Sequence, residues 1–459
     1  MSLNSTLKNA VLKRRIRSRR KSRKPIISTF TDDQAEAYSD LSGDLFGAPG
    51  GMYKALGYAG TGKTYFTGGL AEQAIIRDYE VICAAPTHQA KVMMHEHLPK
   101  SVRSHATSQT IHSLLKLAMR PDKKTGEHIL VQQGEPRLPD GKCIIFVDEA
   151  SMIGSYIGGF IEEAAKQFKD ATWVFIGDPA QLPPVKDTKW KYQDFKGPVL
   201  TEIVRQSSGN PIIQAATAIR EGRDWRQHAT NDGDVGIWKT RDPGILLEQA
   251  ARKFQKKAYE DNPYLARVLA STNAAVNEWN RKLKNRLYPD ADEWTAGMWA
   301  ITGESYYEGP SNDIGALPVV TTSEMVQIKK AKKKIAPTYN EWLPTWKIEA
   351  VNQEGETVRF PVLAEEGKAD YEEALQHRLD TAKMDSNRSN WKDFYNLKEA
   401  FCDLRPPFAS TVHKAQGSTY ESVFLDESTL RRFPGNRRFI RSLYYVSFTR
   451  ASKRMIVLI

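Results

Sequence analysis

The chain has 459 residues, enough for two or three domains, and its 40% hydrophobic and 26% charged content is that of a soluble globular protein, not a disordered or fibrous one. No apolar run approaches the roughly 20 residues of a membrane span, and the three cysteines, Cys83, Cys143 and Cys402, form no CxxC pair, so core packing in a reducing, cytoplasmic setting is expected and a zinc site is not. The net charge of +11 is concentrated: residues 1–24 carry ten basic side chains and no acid, and subtracting them leaves the rest of the chain at +1.

A tail of that kind cannot build a core. Its charge suits nucleic acid or another anionic surface, and an Arg-rich, acid-free N-terminus also resembles an organelle transit peptide. Globular sequence starts near Ile26, and Thr31-Asp32-Asp33-Gln34 opens an amphipathic helix with Thr31 as its N-cap. Gly51 to Leu56 reads as a buried strand, and Tyr65 to Arg77 has helical spacing at Phe66, Leu70, Ala74 and Ile75. Between them lies Gly57-Tyr58-Ala59-Gly60-Thr61-Gly62-Lys63-Thr64, a Gly, four residues, then Gly-Lys-Thr. Such a turn points successive backbone N–H groups into one concavity at the positive end of a helix dipole, where phosphates settle. Gly57, Ala59, Gly60, Thr61, Gly62, Lys63 and Thr64 are therefore the expected ATP site, with Lys63 reaching the β- and γ-phosphates and the Thr64 hydroxyl holding Mg²⁺.

Val81 to Ala85 suits a buried parallel strand and ends in Pro86-Thr87-His88. Thr110-Ile111-His112-Ser113 starts a short helix. Residues 119–142 turn polar and read as a small hairpin standing off the sheet, with His128 to Gln132 as one arm. Ile144-Ile145-Phe146-Val147 then runs into Asp148-Glu149, two carboxylates at the C-terminal end of a strand, where open parallel sheets place their ligands. An ATPase needs such a pair: Asp148 to complete the Mg²⁺ shell and Glu149 to polarise the attacking water. Trp173 to Asp178 is a further buried strand, so residues 25–199 are expected to form a doubly wound α/β unit. A second α/β unit is expected over 200–290 and 406–459. It is split by a β-rich, SH3-like insertion at 291–405, which is crowded with tryptophans and carries a polar helical arm near 370–400. Trp342 and Trp346 make that insertion a candidate clamp.

The order of these motifs resembles superfamily 1B helicases of the RecD-like and phage Dda-like type, over about residues 30–459. The resemblance implies two RecA-like units with Mg-ATP between them. It also implies 5′→3′ movement on single-stranded DNA and a monomer working at forks beside replication or recombination proteins. It makes Gln34 the adenine reader. Ala84-Ala85-Pro86-Thr87-His88 and Thr110-Ile111-His112-Ser113 match the first two DNA-contacting motifs, with Pro86, Thr87, His88, Thr110 and His112 as contacts. Within Gly177-Asp178-Pro179-Ala180-Gln181-Leu182-Pro183-Pro184-Val185, Gln181 senses the γ-phosphate. Arg205, in Leu200 to Gln206, and Arg450, in Val446 to Ala451, are the arginine fingers. Ser410 to Ser418 matches the motif that couples DNA to nucleotide, with Thr411 and His413 as DNA contacts and Gly417 at the ATP. The hairpin at 119–142 takes the place of the family's strand-separating pin, yet offers Ile129, Leu130 and Val131 where an aromatic is expected. An RNA-directed enzyme and a helicase subunit of a nuclease–helicase complex remain open as alternatives. A phosphate-loop kinase would need neither arginine finger nor a second α/β unit.

Overall fold

The computed structural model describes residues 25–121, 128–184, 187–204, 209–308, 318–339, 341–385 and 388–459. The basic tail at 1–24, Val185, Arg205 and Gln206 lie outside the described residues.

The first unit comprises, in chain order, α1 (Asp32–Gly47), β1 (Met52–Gly57), α2 (Lys63–Ile76), β2 (Glu80–Ala85), α3 (His88–His97), β3 (Ala106–Thr110), α4 (Ile111–Leu114), β4 (Leu117–Pro121), β5 (His128–Gln132), β6 (Cys143–Val147), α5 (Ser155–Gln167), β7 (Ala171–Gly177) and β8 (Val199–Leu200). Its sheet runs β3-β2-β6-β7-β1-β8, every pair parallel. Every residue of β6 and β7 is buried, as unbroken apolar runs in a two-sided parallel sheet require. The sheet reaches further than expected. β8 pairs with the end of β1, and the Val204 N–H still donates to the Gly60 carbonyl (3.0 Å), so the chain leaves this unit after 204 and not at 199.

The hairpin β4–β5 is also less detached than its polar sequence suggests. It starts at Leu117, which is buried, and Leu130 packs on the same face of the sheet as Leu114, Leu115 and Ile153. Those leucines fasten its base by apolar burial.

The second unit holds α6 (Pro211–Arg220), β9 (Asn231–Asp232), β10 (Val235–Thr240), β11 (Ala266–Ala270) and α7 (Asn273–Leu287). The chain then leaves for β12 (Trp299–Thr302), β13 (Met325–Thr338), β14 (Glu341–Val351), β15 (Thr357–Leu363), α8 (Lys368–Met384), α9 (Arg388–Lys398) and β16 (Leu404–Arg405). It returns with β17 (Ala409–Thr411), β18 (Tyr420–Asp426), α10 (Arg437–Thr449) and β19 (Ala451–Leu458). The second sheet runs β17-β11-β18-β19-β10-β9, parallel except at β9, and the insertion is the antiparallel sheet β15-β14-β13-β12-β16. The architecture is thus two doubly wound α/β units, with a hairpin inserted in the first and a β-rich sheet in the second. No helix among the described residues is long and apolar enough to cross a membrane.

Candidate nucleotide site and nucleic-acid channel

β1 lies between β7 and β8, so the loop that follows it opens at the carboxyl edge of the sheet. Gly62, immediately before α2, has φ +75, and a Cβ there would come within 2.6 Å of Gln34 Nε2. Only glycine fits this left-handed, crowded position. Lys63 Nζ donates to the carbonyls of Gly57 (2.8 Å) and Tyr58 (2.9 Å) and so lies over the loop. Gln34 is buried under the loop. Its amide donates to the Thr61 carbonyl (3.1 Å), and its oxygen accepts the Thr31 N–H in the capping box of α1 (3.3 Å). Both ends of this side chain brace the phosphate loop, a contact that sequence reasoning did not anticipate.

β6 delivers the carboxylates. The Asp148 N–H donates to the Ala84 carbonyl (2.9 Å), and Asp148 Oδ1 accepts the Glu149 N–H (2.8 Å). Glu149 sits at φ +50, a strained conformation for a residue with a side chain and one that clusters at functional sites. Thr64 and Asp148 line one small cavity with Thr67, Met94, Leu98 and Ile176. A hydroxyl and a carboxylate are oxygen donors of the kind Mg²⁺ takes, and they would hold it only once this space, too small here for a water, opens. Burial raises the Asp148 carboxyl above its ordinary range. Burial and then the neighbouring Asp148 charge raise that of Glu149, while Arg450 and Lys63 oppose the shift. Glu149 Oε2 is buried with no hydrogen-bond partner among the described residues, so it is free to take one from a water.

The second unit reaches into this site. Arg450 is buried at the C-terminal end of α10, where it donates to the carbonyls of Ser418 (3.1 Å) and Val446 (3.3 Å) and to Thr449 Oγ1 (3.1 Å). Gln416 donates to Gln181 Oε1 (3.3 Å), which also accepts from Ser151 Oγ (3.2 Å). A Cβ on Gly417, at φ +72, would meet Ala90 at 3.1 Å and Glu149 Cγ at 3.6 Å. The Arg220 guanidinium stacks 3.8 Å over the Tyr58 ring. Lys63, Glu149, Gln181, Gly417 and Arg450 therefore converge, as the motifs predict, and Arg220 joins them.

A channel of about 2440 Å³ runs between the units and the inserted sheet. Pro86, Thr87, His88, Thr110 and His112 line it together. Thr87 and Thr110 cap α3 and α4, accepting the N–H groups of Ala90 and Ser113 (both 3.1 Å). Burial lowers both His88 and His112 from the ordinary histidine value, with Lys91 adding to the effect at His88. Thr411 and His413 do not line this channel. Thr411 Oγ1 accepts the Lys414 N–H (3.2 Å), and the His413 ring packs against Phe433 and Phe439, with centroids 6.3 and 5.8 Å away.

The opposite wall was missed. Asn273, Asn277, Arg281 and Lys284 of α7 line it. Their spacing of four, four and three residues is a polar stripe on one helix face and was readable as such. In the inserted sheet, Trp346 is a core member whose Nε1 donates to Glu293 (2.9 Å) and whose edge borders the channel, whereas Trp342 is 71% exposed on the outer hairpin. Beside the first-unit hairpin, Tyr156 is 53% exposed and its hydroxyl donates to the Leu130 carbonyl (2.8 Å).

Comparison with known proteins places this geometry. The family model of the AAA domain matches residues 29–236, and that of the UvrD-like helicase C-terminal domain matches 407–458. The ATP-dependent DNA helicase dda of Enterobacteria phage T4 is 27% identical over 428 residues, 86% of this chain and 91% of its own. The ATP-dependent RecD2 DNA helicase of Deinococcus radiodurans is 29% identical over 196 residues, 42% of this chain and 24% of its own. Among solved structures, Pif1 helicase from Bacteroides in complex with ADP-AlF3 and ssDNA shares the fold at a TM-score of 0.50 and 14% identity, over 93% of this chain and 92% of that one. The fold is that of two RecA-like units, and the chain is similar to phosphate-loop helicases. Among these, it is similar to the superfamily 1B helicases of the Dda and RecD type.

Proposed function

We propose that this chain is an ATP-driven DNA helicase that hydrolyses Mg-ATP between its two α/β units, moves 5′→3′ on single-stranded DNA and separates the duplex ahead. The observation that carries the reading is the contact of the phosphate loop and the Asp178–Gln181 turn of one unit with Tyr445 and Gln416 of the other, beside a channel between the units. Lys63 and the loop N–H groups hold the phosphates. Thr64 and Asp148 would hold Mg²⁺, which would supply positive charge beside the phosphates. Glu149 orients the attacking water and takes its proton. Gln181 reports on the γ-phosphate, and Arg205 and Arg450 stabilise the charge that develops there. Closure around ATP and release after hydrolysis then alternate the grip of the two channel walls. Direction and the preference for DNA rest on likeness to Dda and RecD-type proteins.

The test is unwinding of duplexes with a 5′ or a 3′ single-stranded tail, with ATP and Mg²⁺ and with matched RNA controls. Unwinding confined to 5′-tailed DNA supports the reading. Unwinding of 3′-tailed substrates alone overturns the direction, and stimulation by RNA only overturns the substrate.

A further inference from the structure

Tyr445 has no chemical role in the reading above, yet it makes the shortest hydrogen bond between the units at the nucleotide site. It lies on α10 of the second unit and is 2% exposed. Its hydroxyl accepts the Ala59 N–H of the phosphate loop (2.8 Å) and donates to Asp178 Oδ2 (2.6 Å). Asp178 Oδ1 in turn accepts the Ala180 N–H (2.9 Å), and the Asp178 carbonyl accepts the Gln181 N–H (3.2 Å). One hydroxyl therefore joins the phosphate loop, the turn that carries Gln181 and the helix that ends at Arg450. Five residues separate Tyr445 from Arg450, about 7.5 Å along a helix axis. A buried phenol with its donor and its acceptor both engaged is fixed in position.

We propose that Tyr445 is a positioning residue for hydrolysis: its hydroxyl sets the Arg450 helix against the phosphate loop and releases it when the loop binds phosphate. The inference rests on the hydrolytic reading proposed above. Ala59 belongs to the stretch whose N–H groups cradle phosphates, so an incoming phosphate oxygen competes with the Tyr445 hydroxyl for that donor. The bond to Asp178 faces no such competition. The helix thus keeps one anchor while the other changes partner, and phosphate occupancy in the first unit is passed to the finger in the second.

The test is Tyr445→Phe in the full chain, which keeps the ring in the core and removes only the hydroxyl. We expect kcat for ATP hydrolysis at saturating single-stranded oligothymidylate to fall at least tenfold, with KM for ATP within threefold and the thermal transition nearly unmoved. Amide hydrogen exchange of the peptide holding Ala59, without nucleotide, should quicken at least tenfold. A kcat within twofold of the parent overturns the positioning role, and so does unchanged exchange at Ala59. Loss of KM and kcat together with a large fall in melting temperature marks Tyr445 as a packing residue only. A parent chain that hydrolyses no ATP counts against the helicase reading, and the exchange measurement then decides alone whether the hydroxyl holds the loop.

Discussion

Glu149→Gln should make the protein both more stable and inactive. One carboxyl oxygen is buried, and burial together with the Asp148 charge pushes the carboxyl from an ordinary 4.5 up to about 7. At about 1.4 kcal/mol per tenfold change in proton affinity, the ionised side chain costs the folded state about 3 kcal/mol. The sign follows from a carboxyl whose folded value is raised. Below pH 4.5 it is protonated in both the folded and the unfolded chain and costs nothing. The penalty grows between pH 4.5 and 7 and is complete above that. An isosteric amide never ionises, so the nucleotide-free variant should melt several degrees higher at pH 8, at about 2–4 °C per kcal/mol, and alike at pH 4.5. Turnover should fall by about 10²–10⁴, the usual contribution of a positioned base. Scanning fluorimetry at the two pH values and a coupled ATPase assay measure both effects. A variant that melts lower at pH 8, or that hydrolyses ATP at the parent rate, refutes the assignment of Glu149 as a strained, water-orienting carboxylate.

Arg450→Ala should lower DNA-stimulated ATP hydrolysis by about 10³–10⁵ and leave nucleotide-free DNA affinity nearly unchanged, checked by steady-state kinetics and fluorescence anisotropy. Deleting residues 1–24 should weaken single-strand binding at low salt and flatten its log–log salt dependence by about 0.7 for each phosphate that the tail neutralises; an unchanged slope assigns the tail another task. Glu354, in the β14–β15 turn, lies 3.7 Å from His88 Nε2 and 3.9 Å from Lys91 Nζ, both of which line the channel, so its carboxylate stands where a phosphate would. Glu354→Gln should therefore tighten binding of single-stranded DNA severalfold at low salt, and weaker binding in the same anisotropy assay would show that the ion pair shapes the channel instead.

The nucleotide half of the site was legible because its chemistry is local. A phosphate loop needs its glycines, Lys63 and Thr64 in succession, and Asp148-Glu149 announces itself by following an unbroken apolar strand. The channel was less legible because its walls are assembled from distant segments. Pro86 to His88 and Thr110 to His112 stand out as motifs, but α7 shows only a polar stripe that any solvated helix could carry. Within the fold, β10 was missed because Val235 to Thr240 holds a glycine and a lysine among few apolar residues. α10 was missed because it opens on arginines, and only its inner face, with Leu443, Val446 and Phe448, is buried.

The two halves of the site are not independent, and Gly417 shows why. It belongs to the second unit, yet a Cβ there would touch both Ala90 and Glu149. Ala90 lies on α3, whose first turn presents Thr87 and His88 to the channel, and its N–H is held by the Thr87 cap. Glu149 is the carboxylate proposed above to orient water. Gly417 thus lies in a gap between α3 and Glu149 that no side chain fills, and Gly417→Ala would press on both. On the channel side, the β14–β15 turn makes the matching link, with Gln353 donating to the Tyr264 hydroxyl of the second unit (2.6 Å) and Glu354 paired to His88 and Lys91 of the first. The units are thus pinned at two places, one beside the nucleotide and one at the mouth of the channel. Opening either joint loads the other, which is the mechanical requirement for coupling hydrolysis to movement along a strand.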